Sequence, residues 1–135
     1  MATALDIDTL ARTIYGEARS ESQQGKRAVA FVVLNRVAKQ TWYGKTVLGV
    51  CKRRWQFSCW NPNDPNREKL LAVTLDKPSF QNAYCAALSV LCGHAGADPT
   101  IGATHYHTPS VAPRWSRGKV PVVQIGKHLF FNDVR

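Results

Sequence analysis

Among the ionisable side chains, Glu17 in the segment IYGEAR is placed where a carboxyl could do acid–base work. Near the end of a largely apolar helix a carboxyl loses part of its hydration, which disfavours the anion and suits the group to handing on a proton near neutral pH. Gly16 beside it leaves room for a substrate to approach the backbone, and Tyr15 offers a ring and a hydroxyl. The same glutamate has a plainer reading as a solvated ion-pair partner of a nearby Arg or Lys, and helix position alone leaves that reading ahead. Glu21, one turn further on, shares both readings.

A second cluster is WQFSCW. Gln56, Phe57, Ser58 and Trp60 could form a sugar-binding wall, because aromatic rings pack on the apolar faces of sugars while amides and hydroxyls bond their hydroxyls. Core packing under a loop competes for the aromatics but explains Gln56 and Ser58 poorly. In THYHT, His105 and His107 fall on one side of a strand at a spacing that metal sites use, with His94, Asp98 and His128 as further ligands. No H-E-x-x-H or comparable third-ligand pattern accompanies them, and surface polarity is the plain alternative. There is no G-x-S-x-G elbow for a serine nucleophile. Cys59 with His105 is a conceivable thiol–imidazole pair.

These groups need elements to hold them. Asp6 or Asp8 can cap a helix running to about Arg19, with Leu10, Ile14 and Ala18 on one stripe and Glu17 near its C-terminal end. Residues Ser22 to Lys39 form a second helix, apolar over so much of its circumference that it must be central, with Asn35 and Arg36 on or beside its buried part. Lys45 to Asn66, ending in NPNDPN, reads as loop. Phe80 to Leu91 reads as a third helix ended by Gly93. After Ala103 the pattern changes to short strands at Thr104–Thr108, Val120–Ile125 and His128–Phe131. Helices first and strands late predict an α+β fold, a helical main lobe with a small antiparallel sheet from the C-terminal third, in one catalytic domain over residues 1–135.

Lys and Arg number 18 against 9 acidic residues, a formal charge of +9, so the surface should be drawn to polyanions such as nucleic acid, anionic lipid or envelope polymers. The basic residues are scattered, and no run reaches the length of a nucleic-acid tail. The N-terminus lacks a basic region followed by an apolar stretch, so no export signal is expected, and no window approaches the ~20 apolar residues of a membrane span. Cys51, Cys59, Cys85 and Cys92 contain no C-x-x-C pair, which argues against a zinc ribbon. Cys51 with Cys59 is the local disulfide candidate. All four are expected as reduced thiols in a chain made without an export signal, with Cys85 and Cys92 on one helix face in the core.

Five ordered blocks, LARTIYGEARSE, GKRAVAFVVLNRV, TVLGVCKRRWQFSCW, DPTIGATHYHTP and VPVVQIGKHLFFN, resemble the cell wall hydrolase family typified by the spore cortex-lytic enzymes SleB and CwlJ over nearly the whole chain. The resemblance implies a lysozyme-like or lytic-transglycosylase-like cleft and cleavage of peptidoglycan between N-acetylmuramic acid and N-acetylglucosamine. It also implies Glu17 as the catalytic acid, which reverses the order of the two readings. Retaining and inverting glycosidases need two carboxyls, about 5–5.5 Å or about 6.5–9.5 Å apart. None of the other acids sits in a matching block with an obvious second role, so a one-acid mechanism without metal or cofactor is expected, with Gln56, Ser58, His105 and Tyr106 holding the sugars. Without an export signal or a separate wall-binding domain, the chain looks like a phage endolysin. Such a protein waits in the host cytoplasm until a holin opens the membrane, then acts at the periplasm and wall. The expected partners are peptidoglycan strands and the anionic envelope surface, with no specific nucleic acid and a monomeric state. A metal-dependent amidase using His94, His105, His107 or His128 is the main alternative, and a basic nucleic-acid-binding module the lesser one.

Overall fold

The structure, a computed structural model, describes residues 2–135. Five helices come first: α1 (Ala4–Ala18), α2 (Gln23–Lys39), α3 (Val47–Lys52), α4 (Pro65–Ala72) and α5 (Pro78–Leu91). Three strands follow: β1 (His105–His107), β2 (Val123–Ile125) and β3 (His128–Phe131). Single 3-10 turns sit at Ser58–Trp60 and Arg114–Ser116. The strands form one antiparallel sheet in the order β1-β3-β2. The α+β expectation, with a helical lobe and a small late sheet, is therefore met.

The cap of α1 is Thr3, not Asp6 or Asp8. Its hydroxyl accepts from the Asp6 amide at 3.1 Å while the Asp6 carboxylate accepts from the Thr3 amide at 3.0 Å, a reciprocal capping box. Asp6 also accepts from the Leu48 amide at 3.0 Å, which fastens α3 to α1. Asp8 instead pairs with Arg12 one turn along, at 2.9 Å. Helix α2 is capped by Ser22 and ends on Gln40 in the left-handed region. Its apolar circumference has a simple cause. Val29 and Val33 join Leu10, Ile14, Phe80 and Ala87 in the main core with α1 and α5, while Ala28 and Val32 face Ala103, Ile125 and Phe130 of the sheet side. Each large aliphatic buried in this way contributes roughly 1.5–3 kcal/mol.

The stretch Lys45–Asn66 is less of a loop than its composition suggests. It holds the six-residue α3, too short to show a helical period, and the 3-10 turn. The NPNDPN run is the start signal of α4: Asp64 caps it by accepting from the Asn66 amide at 2.8 Å, and Pro65 sits at the first turn, where its missing N–H costs nothing. Cys85 and Cys92 are exposed and not in the core, because Ala83, Ala86, Ala87 and Val90 occupy the buried side of α5. Cys51 and Cys59 are buried, and all four are free thiols.

The sheet is tied to the helical lobe by polar groups of α2. The Asn35 amide donates to the Ala103 carbonyl and to Asp98, each at 2.9 Å. Asp98 also accepts from the Thr100 amide and hydroxyl and from the Gly102 amide, at 2.6–3.0 Å. Although burial opposes ionisation, these donors hold its carboxyl below the usual range.

Candidate active site

Between the helical lobe and the sheet lies a cleft of about 440 Å³. Glu17, on the last turn of α1, stands in it. One carboxyl oxygen accepts from the Tyr106 hydroxyl at 2.5 Å, and the other from the Cys59 backbone amide at 3.2 Å. Strand pairing explains Tyr106: it opposes Phe130 across β1 and β3, so it lies on the face turned to the helices, with His128 and Phe130 beside it. Gly16 explains Cys59. A Cβ at Gly16 would lie 2.6 Å from the Cys59 Cβ and 2.8 Å from its sulfur, so only glycine lets the 3-10 turn close onto α1. The room that Gly16 makes is taken by the protein's own backbone and not by substrate.

Arg36 forms part of the cleft wall. It is 4% exposed, donates to the Thr104 carbonyl at 2.6 Å and to the Gln56 side chain at 3.2 Å, and stacks over the rings of Tyr43 and Phe57 at about 5 Å. One guanidinium thereby joins α2, the 3-10 segment and the start of β1. Burial lowers its pKa without bringing an arginine near neutrality.

On the far side of Tyr106, the His128 ring packs 4.7 Å from the phenol and its Nδ1 lies 3.8 Å from Glu21. Burial pushes the His128 pKa down, against the pull of Glu21 and Glu17. Glu21 accepts from the Lys127 amide at 2.9 Å and would collide with any Cβ at Gly126, whose φ of 58° is itself left-handed. It ties the β2–β3 turn to the end of α1. Glu21 is a brace and does not open into the cleft.

Of the residues expected at the site, Glu17, Gln56, Ser58 and Tyr106 are brought together in the cleft. Four others are not. Tyr15 is buried edge-on against Phe80 at 5.9 Å and faces a separate pocket beside α4 and α5, since the residue two before Glu17 points about 200° around the helix. Phe57 is core, 2% exposed, beneath Arg36. Trp60 donates its indole N–H to Thr13 at 2.9 Å and so anchors the 3-10 turn to α1 outside the cleft. His105 lies on the opposite sheet face from Tyr106, with its Nδ1 3.0 Å from the Thr104 hydroxyl and its ring against Tyr43 and Trp115. Burial and the Arg36 charge push its pKa down to about 4, so it is neutral.

Arg36, Trp55, Asn66 and Trp115 also line the cleft without having been expected there, and His128, expected only as a metal ligand, lines it as well. His107, considered only as a metal ligand, also lines it, with its ring stacked on Phe131 at 5.2 Å. Trp55 adjoins Gln56 and carries the same signal as the neighbouring aromatics of WQFSCW. The others come from separate parts of the chain and carry no local signal.

Among the described residues, no three His, Cys, Asp or Glu side chains group so as to hold a metal ion. His105 and His107 do share a sheet face, as alternation requires, but Trp115 fills the space beside both rings. The Cys59 thiol is turned onto the Thr13 carbonyl, and burial raises its pKa, so it is no thiolate nucleophile facing His105.

A helical lobe and a small antiparallel sheet facing each other across a cleft, with one glutamate at its centre, define a lysozyme-like architecture. The sequence model of the family described as Cell Wall Hydrolase matches residues 20–131, beginning just after Glu17, and the chain belongs to that family. Among curated relatives, the spore cortex-lytic enzyme of Halalkalibacterium halodurans is 35% identical over 130 residues, covering 94% of this chain and 34% of that protein. That of Bacillus subtilis (strain 168) is 32% identical over 126 residues, covering 93% and 37%. The chain thus spans well under half the length of these relatives. The catalytic domain of Bacillus cereus SleB superposes with a TM-score of 0.71 at 30% identity, covering 96% of this chain and 91% of that one. The catalytic domain of the germination-specific lytic transglycosylase SleB from Bacillus anthracis gives 0.73 at 30% identity, covering 96% and 95%.

Proposed function

We propose that the protein is a peptidoglycan-degrading glycosidase that cuts the bond between N-acetylmuramic acid and N-acetylglucosamine as a lytic transglycosylase, with Glu17 as its single acid and base. The observation that carries this is the isolation of Glu17. Among the described residues, no second carboxyl lines the cleft. Asp6, Asp8, Glu21, Asp64 and Asp98 are engaged in caps, an ion pair and braces, and Glu68, Asp76 and Asp133 are exposed elsewhere. Two-carboxylate hydrolysis lacks its partner. The lytic transglycosylase description of the Bacillus anthracis domain supports the same chemistry.

In this mechanism Glu17 gives its proton to the glycosidic oxygen as the bond to the muramyl anomeric carbon breaks. The resulting carboxylate takes the proton of the muramyl 6-hydroxyl, whose oxygen bonds to that anomeric carbon and closes a 1,6-anhydro ring. The proton count on Glu17 is restored. A phenol oxygen both donates and accepts, so Tyr106 can follow Glu17 through both protonation states. Burial, with the Glu17 charge beside it, raises the Tyr106 pKa well above its ordinary value and keeps the hydroxyl protonated. Gln56, held by Arg36, and exposed Ser58 are placed to bond sugar hydroxyls.

Digestion of purified peptidoglycan by the wild-type protein and by Glu17→Gln, with mass analysis of the fragments, tests the reading. Anhydro-muramyl ends from the wild type and none from the variant are expected. Ends carrying an added water would make the protein a lysozyme-type hydrolase, and full activity of the variant would refute the role of Glu17.

We further propose that the activity serves phage-driven lysis, the protein waiting in the host cytoplasm as an endolysin until a holin opens the membrane. The charge of +9 supports contact with an anionic envelope once released. Bacteria producing the protein in the cytoplasm should grow normally and lyse only when a holin is co-expressed. Lysis without it would overturn this assignment.

A further inference from the structure

Beyond Trp55 the cleft does not stop. Trp55 also lines a neighbouring groove of about 660 Å³, together with Trp60 and Asp64. Trp55 is 65% exposed and its backbone has a φ of 69°, a left-handed conformation that a bulky residue adopts only at a cost of order 1–3 kcal/mol. That conformation holds the indole out as a ridge shared by both hollows. Lys52 lies over the Trp60 ring at 5.1 Å, and Arg54 over the Trp55 ring at 5.0 Å. With Arg53 they place three consecutive cations on the groove wall. None of the three has a carboxylate within ion-pair distance among the described residues, and Asp64, the one acid lining the groove, is occupied in capping α4. Two aromatic faces for sugar rings, bordered by cations without an acidic partner, match a saccharide that carries negative charge.

We propose that this groove is an outer saccharide subsite that continues the catalytic cleft across Trp55 and selects glycan units bearing a carboxylate, as a muramyl residue with its peptide stem does. The sugar ring packs between Trp55 and Trp60, while Arg53 and Arg54 take the carboxylate. The subsite rests on the reading of the cleft around Glu17 as a glycan-cleaving site, and gives that site a preference for strands that still carry stems over neutral glycans.

Calorimetric titration separates the two ideas, because Glu17→Gln protein can bind without cutting. In that background, Arg53→Ala with Arg54→Ala should weaken the Kd for stem-bearing glycan strands about tenfold and that for neutral chitohexaose less than twofold. Trp55→Ala should weaken both. Arg53 and Arg54 are exposed, and an unchanged thermal midpoint will show the fold intact. Equal loss on the two ligands, or no loss on stem-bearing strands, overturns the subsite. So does tighter, arginine-dependent binding of a glycerol-phosphate polymer, which would assign the cations to wall phosphate. A wild-type protein that leaves peptidoglycan uncut while its binding shows the arginine dependence would sink the cleavage reading and leave the subsite standing.

Discussion

The Tyr106 hydroxyl and the Glu17 carboxylate are 2.5 Å apart although 89 positions separate them in the chain. The contact spans the cleft, from the last turn of α1 to the first strand of the sheet. Glu17 is thereby held by one group from each side: the phenol from the sheet and the Cys59 amide from the turn packed on α1. Helix position alone would leave such a carboxyl free to swing toward solvent.

Tyr106→Phe keeps the ring contacts to His128 and Phe130 and removes only the hydroxyl. The turnover rate on peptidoglycan should fall about 10- to 100-fold, less than the roughly 10²–10⁴-fold of general acid–base catalysis that Glu17→Gln would forfeit. The stability loss should stay near 1 kcal/mol. Parallel turbidity-clearing and urea-denaturation measurements check both halves, and an unchanged rate would show that the phenol does not position the acid.

Gly16→Ala should damage stability and activity together. The added methyl meets Cys59 at 2.6–2.8 Å and Leu70 at 3.0 Å, and overpacking of this kind costs about 1–3 kcal/mol. To relieve it, the 3-10 turn must move away from α1 and take the Cys59 amide off Glu17. A midpoint and a clearing rate both within error of wild type would show that the turn is not held this closely.

Stability should fall as pH drops from about 6.5 toward about 4. His105 takes up a proton at about pH 4 in the fold but near 6.5 when unfolded, so in that window the unfolded chain binds more protons and is favoured. The full effect approaches about 3 kcal/mol, and the lowered pKa of His128 acts in the same direction. Urea midpoints at pH 7 and pH 4.5 measure it, and His105→Gln should flatten the difference. A variant as pH-sensitive as the wild type would remove His105 from this account.

Asp98→Ala should cost about 3 kcal/mol, because it strips a carboxylate from four donors of which Asn35 and Thr100 are part-buried. The sheet should loosen from α2 before the helical lobe opens. Hydrogen exchange at Ala103 to His107 should therefore accelerate more than in α5, and equal acceleration in both would show that Asp98 is not the local tie.

Much of this protein was legible in its sequence because much of it is local. The period of Leu10, Ile14 and Ala18, the apolar circumference of α2, the alternation in THYHT and the glycine after α5 each reflect a constraint acting within one or two turns of chain, and each of these elements formed, although α1 begins at Ala4, ahead of the expected cap, and β1 spans only His105–His107. The ordered blocks carried the family and, with it, the standing of Glu17. Short elements escaped for the same reason in reverse, since six residues of α3 are too few to show a period. What the tertiary structure alone decided was which residues of each block reach the cleft. Tyr15, Phe57, Trp60 and His105 have the chemistry of a site and are turned to packing, because a half-turn of helix or a single step along a strand reverses the face a side chain presents. Arg36, Asn66, Trp115 and His128 come from separate parts of the chain and meet only through tertiary packing: Arg36 joins α2 to the start of β1, Arg19 at the end of α1 holds Asn66, and Trp115 packs on the sheet. Glu17 was visible as a carboxyl on a helix. The phenol that fixes it, the amide beneath it and the absence of a second acid among the residues lining its cleft are properties of the folded chain.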